Sequence, residues 1–299
     1  MIVSRIIGGL GNQMFQYAAG MSVARRLGVG HAVDASSFGE YGLRDYGLCH
    51  LNVSAPLLDD QAFPPASRSK DGLVESREGL RTVKEHGARF DPTLFTKGDN
   101  LYLYGYWQSP KYFEEIGAEI RAQFLARAPL TGEAAEWSRR IRGCQSVALH
   151  VRRGDYVQNV TVRRQFGLCT VGYYLRGIKL IQRQVTEPRF FVFSDDPDWV
   201  RSHLNIGGVE FVSHNSGTAD FVEMQLMASC RHFIIANSSF SWWAAWLSPV
   251  PDKRVLAPDP WFLSPRFDMR DLIPAGWVKI PAHAPIPLLR SKIRRMLKR

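Results

Sequence analysis

Four short stretches of this 299-residue chain combine residue types and spacings suited to chemistry. Arg152 and Arg153 are adjacent, follow an apolar run over 147–151 and lead into Gly154 and Asp155. Guanidinium forks stay charged and match phosphate oxygens in pairs. The two side chains therefore read as a clamp on a pyrophosphate, against the plainer reading of a surface ion pair with Asp155. Asn237, Ser238, Ser239, Phe240 and Ser241 stand where a strand hands over to a helix. Free backbone N–H groups and hydroxyls at such a start form an anion site, although plain capping would need only one of the serines. Asp195 and Asp196 follow a third apolar run. They can accept hydrogen bonds from a nucleobase edge or a ribose, or simply cap a helix begun by Pro197. Gly9-Leu-Gly11 with Asp34 imitates a dinucleotide fingerprint, but Met14 stands where the third glycine belongs.

Metal chemistry is a weak candidate. Asp196-Pro-Asp198 has the form of a metal-holding DxD, yet Asp198 falls in the first turn of the expected helix, badly placed to share an ion with Asp196. The four cysteines are scattered and form no CxxC pair or Cys/His cluster, so neither zinc nor a disulfide framework is expected.

The elements that must position these residues alternate between strand and helix. A strand over 2–7, a glycine turn, a helix ending at Gly28 and a strand from His31 open the chain. The pattern is least regular over 35–100, where Pro64-Pro65 and the polar run 67–72 read as surface loop. A strand over 101–106 and helices over 111–124 and 133–142 follow. The second half is clearer: strands at 147–151, 190–193, 209–212, 232–236 and 254–257 alternate with helices from 173, 197, 221 and 238. Such alternation means parallel sheets in an α/β fold. Its two blocks predict two Rossmann-like domains facing a cleft, 1–145 and 146–280, with 281–299 as a separate tail.

Charge and composition narrow the partners. The net charge is +10, but beyond Asp271 the only charged residues are Lys279, Arg290, Lys292, Arg294, Arg295, Lys298 and Arg299. The body is only mildly basic, and a nucleic-acid partner is not expected. In the tail, Leu289, Ile293, Met296 and Leu297 share one helical face among cations, which suits a short helix on an anionic membrane surface through residues 288–299, against the reading of a frayed end. No run approaches a membrane span. A cytoplasmic protein, or one peripheral on the inner face of the membrane, is the expectation.

Five segments together resemble the bacterial α-1,2-fucosyltransferases of glycosyltransferase family 11: GGLGNQMFQYAAG (8–20), YLYGYWQSPKYF (102–113), HVRRGDYV (150–157), FVFSDDPDWV (191–200) and LMASCRHFIIANSSFSWWAAWLS (226–248). They keep the family's order over roughly residues 2–262. The resemblance implies a GT-B arrangement, GDP-fucose as donor, inversion at the anomeric carbon and no required metal or other cofactor. It puts Arg152, Arg153, Asp195 and the 237–241 segment on the donor side, and turns Gly11, Asn12 and Gln13 toward the cleft near the transferred sugar. Two departures stand out: Gln165-Phe166-Gly167 occupies the place of a frequent His-Gly pair, and Glu223 that of a usual Asp.

The expected reaction is galactoside 2-α-L-fucosyl transfer: GDP leaves, its β-phosphate gaining charge, while a hydroxyl of a galactose-terminated glycan such as an O-antigen repeat attacks from the opposite face. Arg152 and Arg153 would stabilise the leaving phosphate, and His150 would pack beside Arg152 or orient it. Asp155 is a candidate base that can equally pair with an arginine, so the base stays open. The rivals are a fucosyltransferase of another linkage or acceptor, a nicotinamide-dependent oxidoreductase built on Gly9, Gly11 and Asp34, and a non-catalytic sugar-binding module. The acceptor itself is not encoded legibly; residues 35–100 and 158–168 are expected to shape its site.

Overall fold

The structure, a computed structural model, describes residues 1–39, 44–154, 157, 159–204, 207–212 and 220–283. The tail reading over 288–299 and the role of Asp155 fall outside them.

The chain opens as expected. The fully buried strand β1 (Ile2–Arg5) runs through residues 6–9 into helix α1 (Leu10–Leu27), which returns to β2 (His31–Asp34). The irregular stretch that follows is more ordered than its composition predicts. Pro65 and the polar run after it enter an antiparallel hairpin of β3 (Pro65–Arg68) and β4 (Val74–Arg77). Local propensity is overridden there by a buried ion pair: the Arg77 guanidinium, fully buried, reaches Asp34 at 2.8 Å, Asp60 at 2.6 Å and the Phe63 carbonyl at 2.9 Å. Asp34 also accepts from Tyr102 and Ser36. The acid that a dinucleotide reading needs for a ribose is therefore spent inside the core, and that reading loses its second leg.

Strands β5 (Arg81–Lys84) and β6 (Leu101–Tyr104) complete a first sheet of order β2-β1-β6-β5, all parallel. The expected helix over 111–124 is broken into two 3-10 turns, Pro110–Tyr112 and Glu114–Ile116, before α2 (Gly117–Gln123); α3 (Gly132–Arg142) then crosses to the second half.

The second sheet contains β7 (Ser146–Val151), β8 (Arg189–Ser194), β9 (Glu210–Phe211), β10 (His232–Ile234), β11 (Val255–Asp259) and β12 (Val278–Pro281). Its order is β12-β11-β10-β7-β8-β9, again all parallel. All six residues of the central β7 are buried, as a strand covered on both faces requires. Helices α4 (Val160–Phe166), α5 (Val171–Gln184), α6 (Pro197–His203), α7 (Asp220–Ala228) and α8 (Ser239–Leu247) complete the fold. Among the described residues no helix is long and apolar enough to cross a membrane.

The two sheets share one core through α1 and α8. Phe15 of α1 lies 4.6 Å from the Trp242 ring and 4.9 Å from that of Trp243, and Phe113 stacks on Trp243 at 5.1 Å. Trp242 and Trp243 are fully buried core residues. At their N-terminal ends the helices touch backbone to backbone. A Cβ on Gly11 would stand 2.5 Å from the Ser239 carbonyl carbon and 2.6 Å from the Phe240 nitrogen. Glycine is required there by the approach of the two halves. Gly11→Ala must push the helix ends apart, a steric cost of about 1–3 kcal/mol. We expect the thermal unfolding midpoint to fall by several degrees; an unchanged midpoint would show that the contact yields freely.

Candidate active site

Open parallel sheets bind ligands beyond the carboxyl ends of their strands, where the strand order reverses. In the second sheet that place lies between β7 and β10, and the segments beyond them carry Arg152 and residues 237–240. In the first it lies between β1 and β6, followed by residues 8–12 and 105–108. Each segment contributes to the wall of one cavity of about 820 Å³ between the sheets.

Arg152 lines this cavity, its Nη1 3.1 Å from Asp195 Oδ2. Asp195 also accepts from the backbone N–H groups of Arg153 (2.8 Å) and Gly154 (3.1 Å). One carboxylate thus shapes the turn and aims the guanidinium. Arg153 is not among the cavity-lining residues: its Nε donates to Asp196 Oδ2 at 3.0 Å, and its guanidinium lies 3.9 Å over the Trp199 ring. Asp196 caps α6, accepting from the Trp199 N–H at 3.1 Å. Arg153 and Asp196 brace the turn from behind, while Arg152 and Asp195 face the cleft.

The helix starts divide similarly. Ser238, the residue before α8, makes no side-chain capping bond, and neither α8 nor α1 has an acidic residue in its first turn. Both positive helix ends therefore bias the cavity toward anions. Ser239 donates to Asn12 Oδ1 at 2.8 Å, and Gln108 donates to the same oxygen at 2.8 Å, so Asn12 joins the two halves at the cavity wall. Phe240 and Ser238 line the wall as well. Asn237 reaches it, but its Nδ2 donates to the Phe166 carbonyl at 2.9 Å and fixes that loop. Ser241 is buried, donating to the carbonyls of Ala236 and Ser238. Gln13 turns inward and clasps the chain instead of the cleft: it donates to the carbonyls of Gly8 and Asp45 and accepts from Gly47 N–H.

His150 is buried at the cavity edge, 6.0 Å from the Phe240 ring. Burial, helped by the charge on Arg152, lowers its pKa to about 3, so it is neutral at physiological pH. Its Nδ1 is buried with no hydrogen-bond partner among the described residues. Such an atom costs about 1–3 kcal/mol until something supplies a partner.

Three carboxylates in the cavity wall were not singled out as site residues by spacing. Glu85 follows β5, and Asp220 and Glu223 lie on α7. Of the segments expected to shape an acceptor site, 35–100 contributes Arg44, Glu85, Gly87 and Ala88, and 158–168 contributes Val162 and Phe166. An unforeseen segment, 261–269, closes that side: Phe262 and Phe267 pack 4.6 and 5.7 Å from Phe166. Among the described residues no group of three or more His, Cys, Asp or Glu gathers in a metal-binding arrangement.

Burial, and then the charges of Asp220 and Asp195, push Glu223 up to about 7 against the opposing pull of Arg152. A carboxyl raised on folding stabilises the fold below its unfolded pKa, and that stability is lost as pH rises to about 7. Glu223→Gln cannot ionise. We expect it to raise the unfolding midpoint relative to the parent at pH 8 but not at pH 4.5, and equal shifts at both would contradict a buried charge here.

Comparison with known proteins converges on the same architecture. A solved structure titled NodZ alpha-1,6-fucosyltransferase soaked with GDP-fucose superimposes with a TM-score of 0.51 at 15% identity, covering 86% of this chain and 94% of that one, and shares the GT-B fold. The alpha-1,2-colitosyltransferase of Escherichia coli is 33% identical over 293 residues, 94% of this chain and 99% of that protein. The galactoside alpha-(1,2)-fucosyltransferase 1 of Aotus azarae is 29% identical over 255 residues, 81% of this chain and 63% of that protein. The family model of glycosyl transferase family 11 matches residues 81–281, and the chain belongs to that family.

Proposed function

We propose that this glycosyltransferase moves fucose from GDP-fucose to the 2-hydroxyl of a terminal galactose on a surface glycan such as an O-antigen, with inversion. In this reading it is a galactoside 2-α-L-fucosyltransferase. Residues 146–280 form the donor side and residues 1–145 the acceptor side. The observation that carries the reading is the meeting of Arg152, aimed by Asp195, with the uncapped start of α8 at the strand-order reversal of the second sheet. Fixed positive groups at that place suit a pyrophosphate whose β-phosphate gains charge as the sugar leaves. They supply that stabilisation without a metal ion. Guanine fits the same wall: its N1–H and N2–H donors match a carboxylate such as Glu223, and a base edge can satisfy the orphaned Nδ1 of His150.

A second reading has a specific support in the 33% identity, over nearly the whole chain, to a colitosyltransferase. Colitose is fucose without its 3-hydroxyl. A site that hydrogen-bonds a hydroxyl rejects the analogue lacking it by about 10⁴–10⁵, whereas a merely apolar pocket discriminates by only about 10². The test is incubation with β-galactosides, EDTA and either GDP-fucose or GDP-colitose, followed by linkage analysis. The expected product is an α-1,2-fucoside formed in EDTA. Transfer from GDP-colitose alone would replace the donor, and another linkage would replace the acceptor hydroxyl. Arg152→Ala should lower turnover by about 10²–10³, the scale of one lost charge-stabilising donor; near-parent turnover would remove Arg152 from the mechanism.

The basic, amphipathic sequence at 288–299 supports a peripheral site on the inner face of the membrane. Deleting it should weaken binding to anionic vesicles while leaving transfer to soluble acceptors intact. Equal vesicle binding would count against that placement.

A further inference from the structure

An inverting displacement needs two groups on opposite sides of the sugar carbon: one to hold the leaving phosphate, one to take the proton of the incoming hydroxyl. Arg152, Asp195, Asp220, Glu223 and His150 all belong to the half that carries the phosphate site. His150 is on the leaving-group side, and Asp195 is committed to the 152–154 turn. Across the cavity, one carboxylate among the described lining residues belongs to the other half: Glu85.

Its setting is elaborately built. The Tyr106 N–H donates to Oε2 at 2.7 Å and the Trp107 N–H donates to Oε1 at 3.0 Å. Receiving both requires a distorted turn. Trp107, a bulky residue, takes φ of +55° there, where side chains are disfavoured. Gly105 cannot carry a side chain, because a Cβ would fall 2.4 Å from Glu85 Cβ and 2.8 Å from its Oε2. Strain of this kind persists where the surroundings impose it, and it concentrates at functional sites. The next residue, Gln108, bonds Asn12, which bonds Ser239 at the start of α8. A continuous run of contacts thus ties Glu85 to the anion-facing helix of the opposite half. Each carboxylate oxygen has two lone pairs; the amides take one apiece, leaving acceptor capacity. Burial raises the pKa of Glu85 despite those two bonds, which makes it a stronger base than an exposed carboxylate.

We infer that Glu85 is the general base that receives the proton of the acceptor hydroxyl, an inference that rests on the fucosyl-transfer reading. In the step, the acceptor oxygen bonds to the anomeric carbon, the bond from that carbon to the β-phosphate oxygen breaks with its electron pair leaving on GDP, and the hydroxyl proton passes to Glu85 and then to solvent.

The test compares Glu85→Gln with the parent enzyme by GDP affinity, transfer to a β-galactoside, and GDP release from GDP-fucose with added azide, a nucleophile that needs no deprotonation. We expect transfer to fall by about 10²–10⁴, the usual contribution of a general base, with GDP affinity within about twofold of the parent and azide restoring GDP release as fucosyl azide forms. Transfer within about threefold of the parent would overturn the assignment. So would absence of azide rescue, or loss of GDP affinity together with transfer, which would make Glu85 a strut of the 105–107 turn. A parent enzyme that binds GDP but releases none from GDP-fucose would instead overturn the donor reading, and the base assignment with it.

Discussion

Two helix N-termini, those of α1 and α8, press against each other at Gly11 and Ser239, and most of the site depends on that contact. Like partial charges meet there, since each helix start presents unsatisfied N–H groups. The Asn12 carboxamide lies between the halves, its oxygen accepting from Ser239 on one side and Gln108 on the other. It ties them together without adding a charge. The close contact brings both strand-order reversals onto one cavity and concentrates positive potential where a pyrophosphate would sit. The GGLGN segment, which imitates a dinucleotide loop, owes its third glycine, Gly11, to a neighbouring backbone.

The 152–154 turn shows how one short motif divides its labour. Adjacent arginines suggest two equivalent fingers on one anion. Beyond the end of β7 at Val151 they point to different places: Arg152 continues into the cavity, whereas Arg153 leans back onto Trp199 and Asp196. The adjacent aspartates follow the same division, one bonded to the turn and the other capping α6. A pairwise arrangement of charges, Arg152 with Asp195 and Arg153 with Asp196, therefore locks two loops from neighbouring strands in register. Such partly exposed pairs contribute little stability individually; their value lies in aim.

Much of this architecture was legible beforehand, since strands buried on both faces and their following helices leave a strong alternating signal from residue 146 onward. The runs at β7, β8 and α8 needed only their periodicity and the polar residues that end them. The hairpin of β3 and β4 was not legible, because its polar, proline-led sequence is held by a partnership of Arg77 with Asp34 and Asp60 across many residues. Gln13 was misdirected for a similar reason: its amide closes backbone gaps at Asp45 and Gly47, contacts that no spacing along the chain encodes. Glu85 carries no local signature either. It becomes notable only when the topology brings it to the cavity, although the YLYGYWQSPKYF segment did point to the turn that holds it, and Glu223 stood out only as a departure from the family's usual Asp.

The aromatic seam beneath the cavity has a mechanical consequence. Phe15, Phe113, Trp242, Trp243 and Trp246 form one uninterrupted packing unit spanning both halves. Prising the sheets apart would wet these rings, at roughly 1.5–3 kcal/mol for each large side chain exposed. Domain rocking is thus an expensive gate for this chain. The wall formed by the segments around Phe166 and 261–269 is lighter: backbone bonds from Leu263 and Ser264 to the Gln165 carbonyl join the two, and of 261–269 only Trp261 is a fully packed member of the shared core.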